Sequence, residues 1–123
     1  MTEQLPLKEE ELAWAGETLK RAEEKLKKVS GRSAHKIPYT TVDGVHDDRS
    51  GDDQIDWWTN GFWGGMMWQL YALTQDEEYM KIAVETEEKM DRNLMCAEGL
   101  THDNGFKWLL TSVADYQIGR AHV

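Results

Sequence analysis

Residues 57–73 contain no charged side chain, and Phe62, Trp63, Met66, Met67, Trp68, Leu70 and Tyr71 spread apolar surface over every side of a helix. A helix that is apolar all round must be enclosed by other elements. The rest of the chain therefore has to supply the enclosure. Residues 7–29 predict a helix with Leu12, Ala15, Leu19, Ala22, Leu26 and Val29 on one buried stripe. Glu9, Glu10 and Glu11 lie near its positive end and Lys25, Lys27 and Lys28 near its negative end, while Glu17–Arg21, Glu23–Lys27 and Glu24–Lys28 form favourable i,i+4 pairs. This is a solvated outer helix, closed by Ser30 and Gly31. A turn at residues 74–78, with Asp76 as N-cap, predicts a further outer helix to about Asn93, burying Tyr79, Ile82, Ala83, Thr86 and Met90. Residues 106–117 are again mostly apolar and read as a second buried helix.

The order is amphipathic, buried, amphipathic, buried. The fold class is all-α, built of helical hairpins whose inner helices face a shared axis, as in a toroid. Two hairpins do not close such a ring, and the inner helices of a chain of this size would keep much apolar face uncovered. The last six residues, Ile118–Val123, read as the codons ATC GGA AGA GCA CAC GTC, which resemble a sequencing-library adapter translated in frame. Residues 1–117 are therefore expected to be the N-terminal part of a longer domain, and 118–123 a foreign tail.

Charge and cysteine content narrow the function classes. A formal charge of -9, from 23 acidic and 14 basic residues, repels polyphosphates and anionic lipid heads, so neither nucleic acid nor a membrane is an expected partner. An acidic sugar needs a local pocket of donors and aromatics, which favours a short ligand over a polymer. Cys96, the one cysteine, falls in an expected helix away from any activating His and admits no internal disulfide. With no signal-peptide run and no membrane span, the chain is expected to be cytoplasmic.

Two polar constellations open the two apolar segments. Trp57-Trp58-Thr59-Asn60-Gly61-Phe62-Trp63 mixes aromatic faces, which stack on sugar C–H faces, with an amide and a hydroxyl. Gly61, Gly64 and Gly65 leave room for close approach. Most tryptophans in such a helix fill core, but this cluster begins where a long loop, 31–56, meets the buried helix, and loops of that length are commonly functional. His102-Asp103-Asn104-Gly105-Phe106 opens the other apolar segment. Its carboxylate either caps helix N–H groups or, in a dry pocket, holds a proton. Both entrances would lie at one end of a toroid. Asp47, Asp48, Asp52 and Asp53 suggest a calcium loop, but Asp53 stands where the EF-hand glycine belongs and Thr59 where the closing Glu belongs, so a solvated acidic loop is expected. His35, His46, His102 and His122 lack zinc-ligand spacing. No metal or other cofactor is predicted.

These motifs in this order, followed by Met66-Met67-Trp68 and Thr74-Gln75-Asp76, resemble the N-terminal part of glycoside hydrolase family 88, the unsaturated glucuronyl hydrolases. The resemblance covers roughly residues 36–117. It implies an (α/α)6 barrel, of which about the first two hairpins are present. It also implies hydrolytic removal of a 4,5-unsaturated uronic acid from small lyase-generated oligosaccharides: an aspartic acid protonates C4 of the vinyl ether, water adds at C5, and the resulting hemiketal opens. By motif, Asp103 matches the first of two active-site aspartates, Trp58 an aromatic flanking the unsaturated ring, and Asn60 and His102 substrate contacts. The second aspartate of the family lies on a later inner helix. Asn60 stands where some members carry Asp, and Asn104 where an apolar residue is common. The alternatives are an unsaturated rhamnogalacturonyl hydrolase, with the same barrel, or a non-catalytic helical module binding sugar or protein through the tryptophan cluster.

Overall fold

A computed structural model describes residues 5–95 and 99–119. The chain divides into two compact units, Met1–Arg32 and Ser33–Val123. The expected placement of Cys96 and His122, and most of the expected foreign tail, lie outside the described residues. The fold is all-α apart from one two-stranded hairpin. No helix among the described residues is long and apolar enough to cross a membrane.

The first unit is helix α1, Glu9–Arg32, with the three glutamates in its first turn and a basic residue in its last. Its ends agree with the macrodipole argument. The buried stripe does not: Leu12 and Leu19 are both more than half exposed, at 55 % and 52 %. A lone helix has nothing within its own unit to set against that face.

The second unit is built on helices α2, Asn60–Thr74, and α3, Glu77–Leu94. Their connection is determined locally. Gln75 adopts the left-handed conformation with φ 59° and donates its N–H to Tyr71 O, which closes α2. Asp76 then accepts from Glu78 N at 3.0 Å and opens α3, as its sequence position predicted. So short a link folds α3 back along α2. Trp63, Met67, Trp68 and Leu70 of α2 are buried, as are Tyr79, Ile82, Ala83, Thr86 and Met90 of α3, the five residues its periodicity singled out. The Trp68 indole N–H, which burial would otherwise leave costly, donates to Glu87 Oε1 at 2.8 Å.

Ahead of α2 in the second unit, the long loop folds around a hairpin, β1 (Thr41–Val42) and β2 (Val45–His46), with Val42 opposite Val45. Asp43 and Gly44 both have positive φ, 51° and 77°, the geometry of a two-residue type I′ turn. Asp48 is exposed, as expected of the loop, and Asp47 is partly enclosed, but both carboxylates also organise the backbone around them. Asp47 Oδ1 accepts from Tyr39 N and Thr40 N, and Asp48 Oδ1 from Ile37 N and Ser50 N, all at 2.8–3.0 Å. They fold the loop back on itself, and Ile37 and Ile55 pack with Met90 and Trp108 in a small core.

The largest departure from expectation is the last segment. In place of one buried helix there are two short ones, α4 (Asn104–Trp108) and α5 (Ser112–Ile118), separated at Thr111, whose ψ of -92° breaks the helical path. Several apolar side chains of this segment point outward: Phe106, Leu109 and Tyr116 are about half exposed or more. Lys107, Thr111 and Asp115, four residues apart, point inward. The cause lies on α2. A Cβ on Gly61 would stand 2.3 Å from Phe106 O and 2.4 Å from Lys107 O, and one on Gly65 2.8 Å from Leu110 Cβ. The close approach that Gly61, Gly64 and Gly65 were expected to permit is taken up within the chain: by the α4 backbone at Gly61, the Thr86 and Thr111 side chains at Gly64, and Leu110 at Gly65. That close approach turns the polar edge of α4 inward, and the free edge of α2, with Phe62 and Met66 each more than a third exposed and Leu73 63 % exposed, is not enclosed.

Gly61→Ala should therefore cost on the order of 2 kcal/mol or more, because backbone rather than a side-chain tip must move. Gly16, in the exposed middle of α1, has no neighbour within 4 Å, so Gly16→Ala should stabilise α1 by roughly 0.5–1 kcal/mol. Urea unfolding followed by far-ultraviolet circular dichroism distinguishes the two signs.

Candidate functional site

Where the loop meets α2, three aromatic rings face solvent together. Trp58 lies just ahead of α2, Phe62 in its first turn and Phe106 on α4. Ring centroids are 6.0 Å apart for Trp58–Phe62, 5.9 Å for Phe62–Phe106 and 6.0 Å for Trp58–Phe106, each pair edge to face. All three remain substantially exposed, from 37 % for Phe62 to 48 % for Phe106. Edge-to-face contacts hold the rings in fixed orientations while leaving outer faces free. A contiguous apolar surface of this kind in water marks a binding surface more often than chance exposure does.

The other two tryptophans of the cluster are structural. Trp63 is buried, with the His46 ring edge-on at 5.8 Å, and His46 Nδ1 is 2.8 Å from Ser33 Oγ. Trp57 packs edge-on to Tyr39 at 5.2 Å, and the Arg49 guanidinium sits 4.8–4.9 Å from both ring centroids. Cation–π contact on two sides, with Asp47 Oδ2 3.3 Å from Arg49 Nε, fixes the loop beside Trp58.

Asp103, immediately after His102, occupies the N-cap position of α4, yet its side chain makes no capping hydrogen bond. The two residues form a pair at 3.5 Å, His102 Nε2 to Asp103 Oδ2, with His102 almost fully exposed and Asp103 about a quarter exposed. The backbone holds this pair in place: Asp103 N donates to Thr101 Oγ1 and Thr101 N to Asn104 Oδ1, so Asn104 works inside the turn. The carboxylate is thus positioned without being consumed by the helix end.

Asn60 is placed differently from Trp58, His102 and Asp103. It is 1 % exposed, and its amide Nδ2 donates to Ile55 O at 3.0 Å and Gln54 O at 3.1 Å. Its geometry pins the loop that carries Trp57 and Trp58, and a ligand on the aromatic face does not reach it. Its Oδ1 is buried without a hydrogen-bond partner. The structure thus brings Trp58, through Phe62 and Phe106, onto the surface of the α4 segment that begins at Asp103, and sets Asn60 behind it.

Two members escaped the sequence reading. Phe106 was read as core of an inner helix, and its 3.6-residue pattern gives no hint that its face is the outer one. Lys107 stands as the one charged residue in a run of apolar ones, and that anomaly was the available signal. Its ammonium is buried against carbonyl oxygens, with the Trp108 ring centroid 4.8 Å away. Burial lowers its pKa from the ordinary 10.5, opposed by the carboxylates of Asp56 and Asp103. Among the described residues no group of three His, Cys, Asp or Glu side chains is arranged to hold a metal ion.

No protein-family model and no solved structure matches the chain. Over 66 residues, 53 % of its length, it is 39 % identical to an unsaturated glucuronyl hydrolase from Bacillus sp. (strain GL1). The matched part spans 17 % of that protein.

The loop behind Trp58 should loosen in acid. Burial alone raises the Asp47 and Asp48 carboxyls, but the backbone N–H donors they accept from, with Arg49 for Asp47 and Ser50 and Lys89 for Asp48, outweigh it and hold both below the usual 3.8. Folded values below unfolded ones mean stability that is fully present above pH 3.8 and lost as pH falls through the depressed folded pKa. Amide resonances of Ile37, Tyr39, Thr40 and Ser50 should shift toward unstructured values through that window. Asp47→Ala should remove its share of that pH dependence, at a cost of about 1 kcal/mol at neutral pH.

Proposed function

We propose that this chain is the N-terminal part of a glycoside hydrolase (α/α)6 barrel that removes 4,5-unsaturated glucuronic acid from small lyase-generated oligosaccharides by hydrating the vinyl ether, in the cytoplasm. The coarser reading, a glycoside hydrolase, is supported by the partial similarity to the glucuronyl hydrolase. The single observation that carries the finer one is the exposed Trp58–Phe62–Phe106 face on the segment that presents an uncapped Asp103. The rings supply a stacking surface for a flattened unsaturated ring, and His102 and Asp103 supply a donor and an acceptor at its edge.

In this reading Trp58 flanks the unsaturated ring. Asp103 contacts the sugar and acts on a second carboxyl group supplied by later residues of the full protein, which donates the proton to C4; water then adds at C5. Two carboxyl groups sharing one site keep one of them neutral, which protonation of carbon requires. The distance rule that separates retaining from inverting glycosidases does not govern such a reaction, since no glycosyl–enzyme bond forms. Asn60 enters as a residue that positions Trp58. The 123-residue chain on its own is expected to be inactive.

The test is recovery of the longer gene and measurement of vinyl-ether absorbance during incubation of its product with an unsaturated glucuronyl disaccharide. The absorbance should fall, and an Asp103→Asn variant should be slowed by roughly a hundredfold or more. Loss only with unsaturated rhamnogalacturonyl substrate reassigns the leaving sugar. No loss with either, from a well-folded product, leaves a non-catalytic sugar- or protein-binding module in its place.

A further inference from the structure

Lys107 is completely buried, and its ammonium is used on carbonyl oxygens: Asn93 Oδ1 at 2.7 Å, Asp56 O at 3.3 Å and Gly99 O at 3.3 Å. An ammonium has three N–H groups, so three acceptors saturate it. Each acceptor belongs to a different stretch of chain. Asp56 ends the loop two residues ahead of Trp58. Gly99 starts the segment that runs through Thr101 into His102 and Asp103. Asn93 lies at the end of α3, and Lys107 itself follows Phe106.

One charge therefore ties the loop that leads to Trp58 and the segment that leads to His102 and Asp103 to the end of α3 and to α4. The backbone around it leaves no slack, because Gly61 packs against the Phe106 and Lys107 carbonyls and Thr111 Oγ1 donates to Lys107 O at 2.6 Å. A leucine at 107 would fill comparable space but leave the buried oxygens of Asn93 and Gly99, and the partly buried one of Asp56, without this donor, which is why an apolar residue does not serve. The Asp56 and Asp103 carboxylates lie within electrostatic reach and favour the charged form that the three bonds require.

We propose that Lys107 is a positioning residue: its ammonium sets the spacing between the Trp58–Phe62–Phe106 face and the His102–Asp103 pair. Its importance for a ligand rests on the functional reading above, whereas the clip between the two segments does not. Amide hydrogen exchange of the whole chain tests it. In Lys107→Met, amides of residues 56–60 and 99–104 should exchange at least about tenfold faster, while α2–α3 amides stay within about threefold. Lys107→Gln, which keeps two N–H donors, should fall between Lys107→Met and the unmodified chain. A uniform acceleration across the second unit, or loss of the α2–α3 core in both variants, overturns the proposal and makes Lys107 an ordinary core residue. Unchanged exchange in both segments overturns it as well. Fluorescence titration of the longer gene's product with the unsaturated disaccharide reports on the functional reading alone: absence of binding by that product counts against the reading, and the exchange pattern still decides the clip.

Discussion

The contact on which the second unit depends is the approach of α2 to α4 at Gly61. Peptide carbonyls of Phe106 and Lys107 stand where any side chain on residue 61 would have to go. Two helices that meet backbone to backbone cannot interpose a layer of large apolar side chains, so the edge of α4 that faces inward has to be compatible with a polar surrounding. Lys107 and Thr111 occupy that edge and find carbonyl partners there. Phe106 is left on the other edge and reaches Trp58 and Phe62 as a result. The aromatic face is thus a consequence of a glycine rather than of any attraction among the rings.

The surrounding loop is rigid for a related reason. A stretch this long has many backbone groups and few apolar ones, so its order must come from hydrogen bonds and charge. Asp47 and Asp48 each gather two backbone N–H groups, Asn60 gathers the carbonyls of residues 54 and 55, and Arg49 packs against both Tyr39 and Trp57, which touch each other edge to face. Each is a polar group placed where the chain would otherwise leave a partner unmatched. Together they hold Trp58 at the edge of α2, so an exposed aromatic sits on a framework whose other tryptophans are enclosed.

Legibility in the sequence follows the range of the interaction. The turn at Gln75 and Asp76 and the buried face of α3 were readable, since a cap and a helical period are local. The Val42-Asp43-Gly44-Val45 hairpin carried an equally local signal, an Asp-Gly pair between two valines, and was overlooked because a two-residue strand has no period to detect. The inversion of residues 106–117 was not readable. Lys107, Thr111 and Asp115 fall at i+4 spacing on one edge of a helix, and the same pattern describes a solvated face. The backbone approach at Gly61, far off in sequence, makes that edge the inner one, and the remote carbonyls of Asp56, Asn93 and Gly99 receive it. For the candidate site, Trp58, Asn60, His102 and Asp103 were named by motif; the structure leaves Trp58 and His102 at the surface and encloses Asn60 against Gln54 and Ile55, a burial no motif announces.

An anionic sugar acid approaching this chain meets a formal charge of -9. Over distances beyond a Debye length, about 8 Å at physiological ionic strength, that field is largely screened, so local donors decide whether the ligand stays. On the proposed function, the exposed imidazole of His102 is one such group. Lys107 is of another kind: its N–H groups are fully engaged with carbonyls, so it offers no hydrogen bond, but carbonyl oxygens do not cancel its charge. A positive charge held beneath a low-dielectric surface acts more strongly on what lies above it than a solvated lysine would. On the proposed function, the group that spaces the two halves of the site also offsets the acidic field, and replacing it by glutamine would separate the effects, retaining part of the spacing and none of the charge.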